Sequence, residues 1–502
     1  MLKHAIGGAA ALLFATTALA RADVDAPTIW EDWQGVYARF GGTLDAASED
    51  YANGTLTLEG VTLAVANASD EPPLEIGTIT MREQPDGTVR IEMPAEITMS
   101  TTTVEGELEQ QQDMRITHDA LSIVASETDA GERTYEVAAD AVNVEMTQQM
   151  APAEGAEPSE SEMPPTDITV TLSDVASTYR SGIEGDAEAF GQDATAATAR
   201  IAVDVRSETD PLTLVHEMRS LVLDVAGAYG AAPAEPAGSL SESGVTYEGT
   251  ITHAGSTLTL DGSGEDMTYG VDGGSESGEM AIALDADQIS YGVTSISPEL
   301  RIETSQLPMP IEISMAEIGN AIALPAGEVG EEKPFGLSLA LRELVVSDEV
   351  WAMFDPTGQL PRDPATFALE LDGTAVMDVD LFGDPEALAA LEGPPGEVKS
   401  LDITELTLQA AGAALRGTGT LTFPESESTP VPQPVGTIEL ALDGGFALLD
   451  KLVALGFLPA DQAAFVKGMS GAVAETVGED QLESTIEFTP GGGITANGLP
   501  LR

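Results

Sequence analysis

Apolar and polar residues alternate along most of this chain with a period of two. The segment TVRIEMPAEITMS (88–100) shows the alternation most clearly, because every second residue from Val89 to Met99 is apolar. A strand of this kind has one buried face and one solvated face, and antiparallel sheets commonly show the pattern. Similar segments recur as far as TIELALDG (437–444), so strands are predicted over most of the chain.

Short turns separate the alternating segments. Asn-Gly or Asp-Gly pairs, which favour tight hairpins, occur at 53–54, 86–87, 261–262, 272–273, 372–373, 443–444 and 497–498. Two segments shift their phase by one residue, between Leu58 and Val61 and between Ala139 and Val142. A bulge or a tight turn produces such a shift, and bulges curve a sheet. The predicted fold class is therefore mostly β: a long curved antiparallel sheet, meander- or groove-like, with a few short helices.

The segment PTIWEDWQGVYARF (27–40) predicts a helix that begins at a proline and ends before two glycines. Trp30, Trp33, Tyr37 and Phe40 form one stripe along this helix. The stripe either packs against the first strands or forms an exposed aromatic lid or partner-binding ridge. We expect packing against the sheet, because large aromatic side chains dominate the energetics of such contacts.

Further stretches predict short helices at 347–355, at 384–393 and, as a pair interrupted at Pro459, within 444–478. Ser347 stands at the N-cap of the first of these, where a hydroxyl group satisfies a free backbone N–H. A last pair of strands is expected after the paired helices.

The first residues have the features of a secretory signal peptide. A basic start, MLKH, precedes the apolar run AIGGAAALLFATTALA, and Ala20-Arg21-Ala22 supplies a small-residue cleavage pattern. We expect a signal peptide at 1–22, cleavage after Ala22 and a soluble periplasmic chain that starts at Asp23. The alternative is an N-terminal membrane anchor, which the run is too short to favour because spanning takes about 20 apolar residues.

The remaining chain, 23–502, is predicted to be a single elongated β-rich domain without a transmembrane segment. Acidic segments rich in proline and serine lie at 151–166, 231–243 and 424–434, and they lack apolar periodicity, as loops do. The first two are candidate subdivisions of the domain.

The charge balance excludes some partners. The chain carries 85 acidic and 20 basic residues, a net charge of −65. No basic patch is present to neutralise phosphates, so nucleic-acid binding is not expected, and anionic membrane surfaces should repel the chain. An acidic surface suits saline surroundings, in which repulsion is screened and solubility is kept, while calcium binding is the alternative interpretation. The absence of cysteine excludes disulfides, thiolate metal sites and cysteine nucleophiles.

No catalytic site is recognisable in the sequence. His118, His216 and His253 are far apart in the chain, and none belongs to a metalloprotease, hydrolase or nucleotide-binding motif. The best calcium-like stretches, 261–279 and 378–384, both lack a well-placed ligand set. We therefore expect no enzyme activity, no cofactor and no metal-binding residues. A hydrolase with scattered carboxylates and one histidine is the least favoured alternative.

Three segments carry a family resemblance: APTIWEDWQGVYARFGGTL (26–44), VWAMFDPTGQLPRDPATFALELDG (350–373) and GGGITANGLPL (491–501). They resemble exported alphaproteobacterial proteins of domain-of-unknown-function family 2125 over nearly the whole chain, and FDPTGQLPRDPA (354–365) is the most specific part. The family has no established activity, so the resemblance implies no functional residues. The last third is also similar in texture to AsmA-type envelope proteins, which implies long curved sheets and lipid handling.

Two functions of different classes fit these observations. The first is envelope maintenance, in which the apolar face of a curved sheet holds a lipid or another hydrophobic ligand. The second is a structural or interaction scaffold whose apolar face is filled by its own helices. An open groove lined by Val, Ile, Leu and Met would favour the first, and a filled interior would favour the second. The ligand-binding residues stay unassigned, and an envelope protein is the other candidate partner.

Overall fold

The computed structural model describes residues 21–22, 24–39, 41–64, 73–105, 108–152, 163–183, 189–207, 209–230, 244–382, 388–391, 393–424 and 433–501. The chain divides into two compact units, the first formed by Met1–Asp272 with Thr304–Gln306 and the second by Gly273–Glu303 with Leu307–Arg502. Most of the predicted signal peptide, most of 151–166 and all of 231–243 lie outside the described residues.

The first unit contains the helix α1 (Ala26–Arg39). Its strands are β1 (Arg21–Ala22), β2 (Thr43–Asp45), β3 (Ser48–Ala52), β4 (Thr55–Ala64), β5 (Leu74–Glu83), β6 (Val89–Glu92), β7 (Glu96–Glu105), β8 (Leu108–Asp119), β9 (Ser122–Thr128), β10 (Arg133–Pro152), β11 (Met163–Ser181), β12 (Ala189–Val205), β13 (Leu212–Ala228), β14 (Thr246–His253) and β15 (Ser256–Gly264), and β16 (Met267–Ser275) spans the unit boundary. Neighbouring strands pair antiparallel from β3 through β4, β5, β6, β9, β10, β11 and β12 to β13. The hairpin β7–β8 joins this sheet through β10, and β14 and β15 both pair with β13.

The second unit has the same antiparallel character. Its strands are β17 (Ser277–Leu284), β18 (Gln288–Ile296), β19 (Glu299–Thr304), β20 (Ile311–Ser314), β21 (Glu317–Pro325), β22 (Glu332–Val346), β23 (Ala365–Met377), β24 (Gly396–Ala410), β25 (Ala413–Thr422), β26 (Val435–Asp443), β27 (Glu475–Gly478), β28 (Gln481–Thr489), β29 (Gly493–Ala496) and β30 (Leu499–Pro500). Its helices are α2 (Asp348–Phe354), α3 (Gly445–Ala454) and α4 (Ala460–Val473). Strands pair in the order β17, β18, β21, β22, β23, β24, β25, β26, β28, β29. The predicted mostly β, antiparallel fold class with a few short helices is confirmed.

Helix α1 packs on the first strands and completes a filled core, as its aromatic stripe predicts. Ile29 and Trp30 are buried among side chains of β4, β5, β6 and β9, and Trp33 and Tyr37 pack against the edge of the same core. The indole N–H of Trp30 donates to Glu49 (2.9 Å), and that of Trp33 donates to the Tyr135 hydroxyl (3.1 Å). The fourth member of the stripe, Phe40, lies outside the described residues.

A line of interruptions crosses the sheet of the first unit. The β10–β11 pairing passes over Asp140 and Asp174, and the β12–β13 pairing passes over Ala197 and Ser220. Asp174 and Ser220 adopt positive φ values of 48° and 52°, which few residues other than glycine tolerate, and Ala120 does the same between β8 and β9 with a φ of 53°. We call these residues the interruption line.

The interruption line explains one of the two predicted phase shifts. Pairing resumes across it in an unchanged register, from Ala139–Val175 to Ala141–Ser173, so the predicted bulge or tight turn is wrong at this point. The apolar alternation changes phase without a bulge because two opposed residues, one on each strand, are both left unpaired at the same point. At the other site the register does slip between Leu58 and Val61, so a bulge is confirmed there.

Three of the helices predicted for the second unit are present as α2, α3 and α4. Helix α2 follows Ser347 as predicted, although the Ser347 side chain makes no capping hydrogen bond. The N-cap of helix α3 is Gly444, whose positive φ of 69° brings it so close to the Gly412 carbonyl that no side chain would fit. Half of the predicted helix at 384–393 lies outside the described residues, and Leu388 and Ala389 within the described part are helical.

Candidate functional site

Beyond the interruption line the first sheet continues, and none of the described helices packs over it. Here the register places apolar side chains of successive strands in rows on one face. Two of these rows are Ile97–Ile116–Val144–Val170–Ile201–His216–Leu258 and Met99–Met114–Met146–Ile168–Val203–Leu214–Leu260. We call this surface the open face of the first unit, and its side chains are half-buried.

The opposite surface of the same strands is polar and charged. Arg115 lies between Glu96 (2.7 Å) and Glu145 (3.2 Å) from the neighbouring strands. Arg206 contacts Asp167 at 2.8 Å. The alternation in each strand therefore separates an apolar face from an acidic, solvated face, as the period of two predicts.

The second unit carries an apolar face of its own. Three rows run across its strands: Ile318–Leu341–Phe367–Leu408–Leu415–Leu442–Leu482, Asn320–Leu339–Leu369–Leu406–Gly417–Leu440–Ser484 and Ile322–Leu337–Leu371–Ile403–Gly419–Ile438–Ile486. We call these rows the leucine face. No member is charged, and the face is aliphatic except for one phenylalanine and a few small or polar members.

Glycine gives the leucine face its local shape. A side chain on Gly417 would come within 2.7 Å of Leu440 and 3.1 Å of Leu406, so both leucines spread over the glycine. Gly419 stands in the same relation to Ile438, which an added side chain would approach to 3.0 Å. Because these two positions have no side chain, the surface of the leucine face is recessed there between larger side chains.

Several charged residues of the second unit lie on the other surface of its strands. Arg342 forms an ion pair with Glu405 (2.8 Å) and lies 3.8 Å from Glu317. Its hydrogen bonds to Glu405 lower the pKa of that carboxyl group. Arg416 contacts Asp443 at 3.2 Å. These ion pairs keep the acidic surface apart from the leucine face.

The two units differ in how completely they bury apolar side chains. Large side chains with almost no exposure are Ile29, Leu58, Val61, Ile79, Met81, Val89 and Val137 in the first unit, whereas Asp355 is the example in the second. On the leucine face Leu339, Leu369 and Leu440 are only half-buried, and Leu408 is 50% exposed. Among the described residues, the leucine face is therefore a surface and the region beneath α1 is a filled core.

Two of the four histidines face the apolar side of the first unit close to the interruption line. His216 lies in a row of the open face between Ile201 and Leu258. His253 ends β14, where its Nδ1 accepts a hydrogen bond from the Gly255 N–H (3.3 Å). Burial lowers the pKa of both groups, and the charge of His216 lowers the pKa of His253 further. The structure thus brings together two histidines that are 37 positions apart in the sequence.

His118 lies at the other edge of the same sheet. It pairs with Val142, and its Nε2 contacts the Pro94 carbonyl at 2.9 Å. Its Nδ1 is buried and has no hydrogen-bond partner among the described residues. Within the described part of the chain, no nucleophile or carboxylate is hydrogen-bonded to this ring.

Neither calcium-like stretch folds into a recognisable site. Within the described residues, no three His, Cys, Asp or Glu side chains are grouped so that they could hold a metal ion. The stretch 261–279 forms strand and turn, and part of 378–384 lies outside the described residues. Likewise, no helix in the described part of the chain is long and apolar enough to cross a membrane.

A family model matches the part of the chain that contains the leucine face. The model for DUF2125, described as an uncharacterized protein conserved in bacteria, matches residues 247–501. The chain belongs to the DUF2125 family. Neither the curated proteins nor the solved structures contain a match to it. The DUF2125 match begins in β14 and includes every strand of the leucine face, whereas the opening segment 26–44 lies outside it.

The sequence predicted part of this site. Leu369, Leu371, Ile438, Leu440 and Leu442 lie on the leucine face, as expected from their alternation. Val89 and Ile91, which have the same alternation, lie instead in the filled core beneath α1. Alternation reports which side of a strand is apolar, but it does not report whether another element covers that side. The His216–His253 pair was missed because it depends on tertiary register.

Proposed function

We propose that the leucine face of this DUF2125 protein holds the hydrocarbon chain of a lipid or a similar hydrophobic ligand. The partly exposed leucine rows carry the proposal. Each square ångström of apolar surface left in water costs roughly 25 cal/mol, and monomers rarely expose apolar patches beyond a few hundred Å². Some occupant is therefore expected to cover this face.

The chemistry of the leucine face favours a hydrocarbon chain over a protein. Protein interfaces concentrate binding energy in tryptophan, tyrosine and arginine, and they surround it with a polar rim. The central row instead presents Leu339, Leu369, Leu406 and Leu440 with no arginine, tryptophan or tyrosine. Such a surface supplies apolar contact without directional hydrogen bonds, which suits a flexible alkyl chain.

The first unit supports a second candidate function, a scaffold. Its core beneath α1 is filled by its own side chains, including Trp30 at 2% exposure. This packing leaves no room for a ligand and resembles the interior of a structural domain. A chain with a filled first core and a partly exposed second face would combine both roles without catalysis.

The cell envelope is the proposed location. The signal-peptide features of 1–22 support export, and an acidic chain without cysteine would function there without disulfides. Cleavage after Ala22 would remove β1, the two-residue strand that pairs with β9. N-terminal sequencing of the protein from a periplasmic fraction should begin at Asp23, whereas an intact Met1 in the membrane fraction would contradict export by cleavage.

Binding of a fluorescent fatty acid analogue tests the proposed function. We expect micromolar binding by the wild type and a loss of at least about tenfold in affinity for Leu440→Asp, because an unpaired carboxylate is costly to bury against a hydrocarbon. The matched control is Ala441→Asp, which adds the same charge to the opposite face of the same strand. Circular dichroism checks that both variants fold. A wild type that binds no analogue, or equal loss in both variants, would contradict the proposal.

A further inference from the structure

Helices α3 and α4 of the second unit form a hairpin whose outer surface is apolar and exposed. Phe457 in the connecting turn is 56% exposed, Phe465 on α4 is 68% exposed and Met469, one turn later, is 49% exposed. Val466 and Val473 are exposed as well, and Ala463 is the buried residue of α4. A helix that is apolar on most of its surface is normally covered, yet among the described residues α4 packs on α3, its last residue Val473 accepts a hydrogen bond from Ser484 of β28, and the apolar side chains named above stay exposed.

The hairpin also differs from the rest of the chain in charge. The stretch 444–474 contains two acidic residues, Asp450 and Asp461, and two basic ones, Lys451 and Lys467, so its net charge is zero. The whole chain has a net charge of −65. Lys467 contacts Asp450 across the two helices (2.7 Å) and lies over the Phe446 ring at 5.5 Å from its centre. The exposed phenylalanines thus project from a locally neutral surface.

The base of the hairpin is fixed to the sheet beside the leucine face. Both carboxylate oxygens of Asp480 accept backbone hydrogen bonds from the first turn of α3, at Phe446 (2.8 Å) and Ala447 (2.9 Å). A carboxylate at a helix N-terminus also complements the helix dipole. Gly445, the first residue of α3, lies against the side chain of Leu442, a member of the leucine face. The apolar surface of the hairpin therefore begins where the leucine face ends.

We propose that the α3–α4 hairpin is a membrane-docking element that inserts Phe457 and Phe465 into the surface of a lipid bilayer. Interfacial helices bury phenylalanine and leucine at the boundary of headgroups and acyl chains. The neutral charge of the hairpin fits a zwitterionic surface, because an anionic surface would repel the acidic remainder of the chain. The element contains no arginine, tyrosine or tryptophan, the residues that protein interfaces favour. Membrane docking depends on residues outside the leucine face, so it can be tested independently of ligand binding by that face.

Flotation of the full-length protein with phosphatidylcholine vesicles tests the proposal. The wild type should float with the vesicles, and the double variant Phe457→Ser/Phe465→Ser should lose at least about tenfold in partitioning, since two large apolar anchors are removed. The matched control, Val329→Ser/Val345→Ser, removes two apolar side chains that are 50% and 42% exposed elsewhere in the second unit, and it should float like the wild type. All three proteins should keep the same thermal midpoint.

Other outcomes separate the alternatives. The variant Leu440→Asp should float normally while it loses the fluorescent fatty acid, and the phenylalanine variant should bind the fatty acid normally. A wild type that stays with the soluble fraction would overturn membrane docking. Sedimentation equilibrium then distinguishes a second copy as the occupant: a dimer that Phe457→Ser/Phe465→Ser converts to a monomer would overturn docking in favour of self-association.

Discussion

Trp30 and Trp33 occupy different environments although they lie one turn apart on α1. Trp30 is 2% exposed and is enclosed by the core, whereas Trp33 is half-buried at its edge beside Tyr135. Both indole N–H groups have hydrogen-bond partners, so neither ring is left with an unsatisfied donor. The two side chains should therefore contribute unequally to stability.

Replacing Trp30 with alanine should destabilise the protein by about 3–5 kcal/mol, the usual cost of deleting a buried tryptophan. Trp33→Ala should cost less, because part of that ring already contacts water. Urea unfolding followed by circular dichroism measures both values. Equal small losses in the two variants would show that α1 is not packed on the sheet.

Asp355 is a buried acidic residue that organises the turn after α2. Its carboxylate accepts backbone hydrogen bonds from Gln359 (3.0 Å) and Leu360 (2.7 Å), and it is 0% exposed. These hydrogen bonds lower the pKa of Asp355. The residue lies in the segment 354–365, and its hydrogen bonds explain part of that distinctive sequence as a turn held from inside.

The variant Asp355→Asn should lower the thermal midpoint at pH 7. Because the folded-state pKa lies below the unfolded value, the charged carboxylate stabilises the fold above about pH 4 and loses that contribution as pH falls through the folded pKa. The difference between wild type and variant should therefore shrink at pH 3. Thermal unfolding at both pH values checks this, and a difference that grows on acidification would contradict the assignment.

At the scale of elements, the interruption line sets which part of the first sheet is covered. Side chains on one side of it belong to the core beneath α1, and those on the other side form the open face. Val142 and Leu172, beyond the line, pack against the small buried cluster of Ala139, Val175 and Ala196. The apolar surface is therefore continuous, with His216 and His253 near the transition.

Acidification should destabilise the first unit through these histidines. Their folded-state pKa values lie below the unfolded value of about 6.5, so the unfolded chain binds more protons and stability falls as pH drops from that value to the folded pKa. The variant His216→Gln/His253→Gln should lose less thermal stability than the wild type between pH 7.5 and pH 5. Glu217→Gln, on the opposite face, is the control. Identical losses in all three proteins would contradict the placement of the two histidines.

The alternation predicts strands and their apolar sides well, because it depends only on neighbouring residues. It identifies Leu440 on the leucine face and Ile91 in a filled core by the same signal. The difference between them is made by α1, which lies more than 50 positions before Ile91 and packs in the same core in the folded structure. The α3–α4 hairpin was predicted as two helices, but the exposure of its apolar side chains depends on which other elements pack on α4 in the folded protein. Whether another element covers an apolar face depends on tertiary contacts, so the alternation of residues in the sequence cannot predict it.

At the scale of the whole molecule, the net charge of −65 opposes compactness through self-repulsion. The Debye length falls from about 10 Å at 0.1 M salt to about 3 Å at 1 M, so added salt should screen that repulsion. We expect the thermal midpoint to rise when sodium chloride is raised over this range. Sucrose of equal osmolality is the control, and a midpoint that responds only to sucrose would show that charge repulsion is unimportant.

The central claim is that the leucine face holds a hydrophobic ligand. Native mass spectrometry of the protein purified from its own cells, without detergent, tests it most directly. The account predicts an additional mass corresponding to a bound lipid, present in the wild type and in Ala441→Asp and lost in Leu440→Asp. A folded wild-type protein that carries no lipid, and takes up none when phospholipid is supplied, would contradict it.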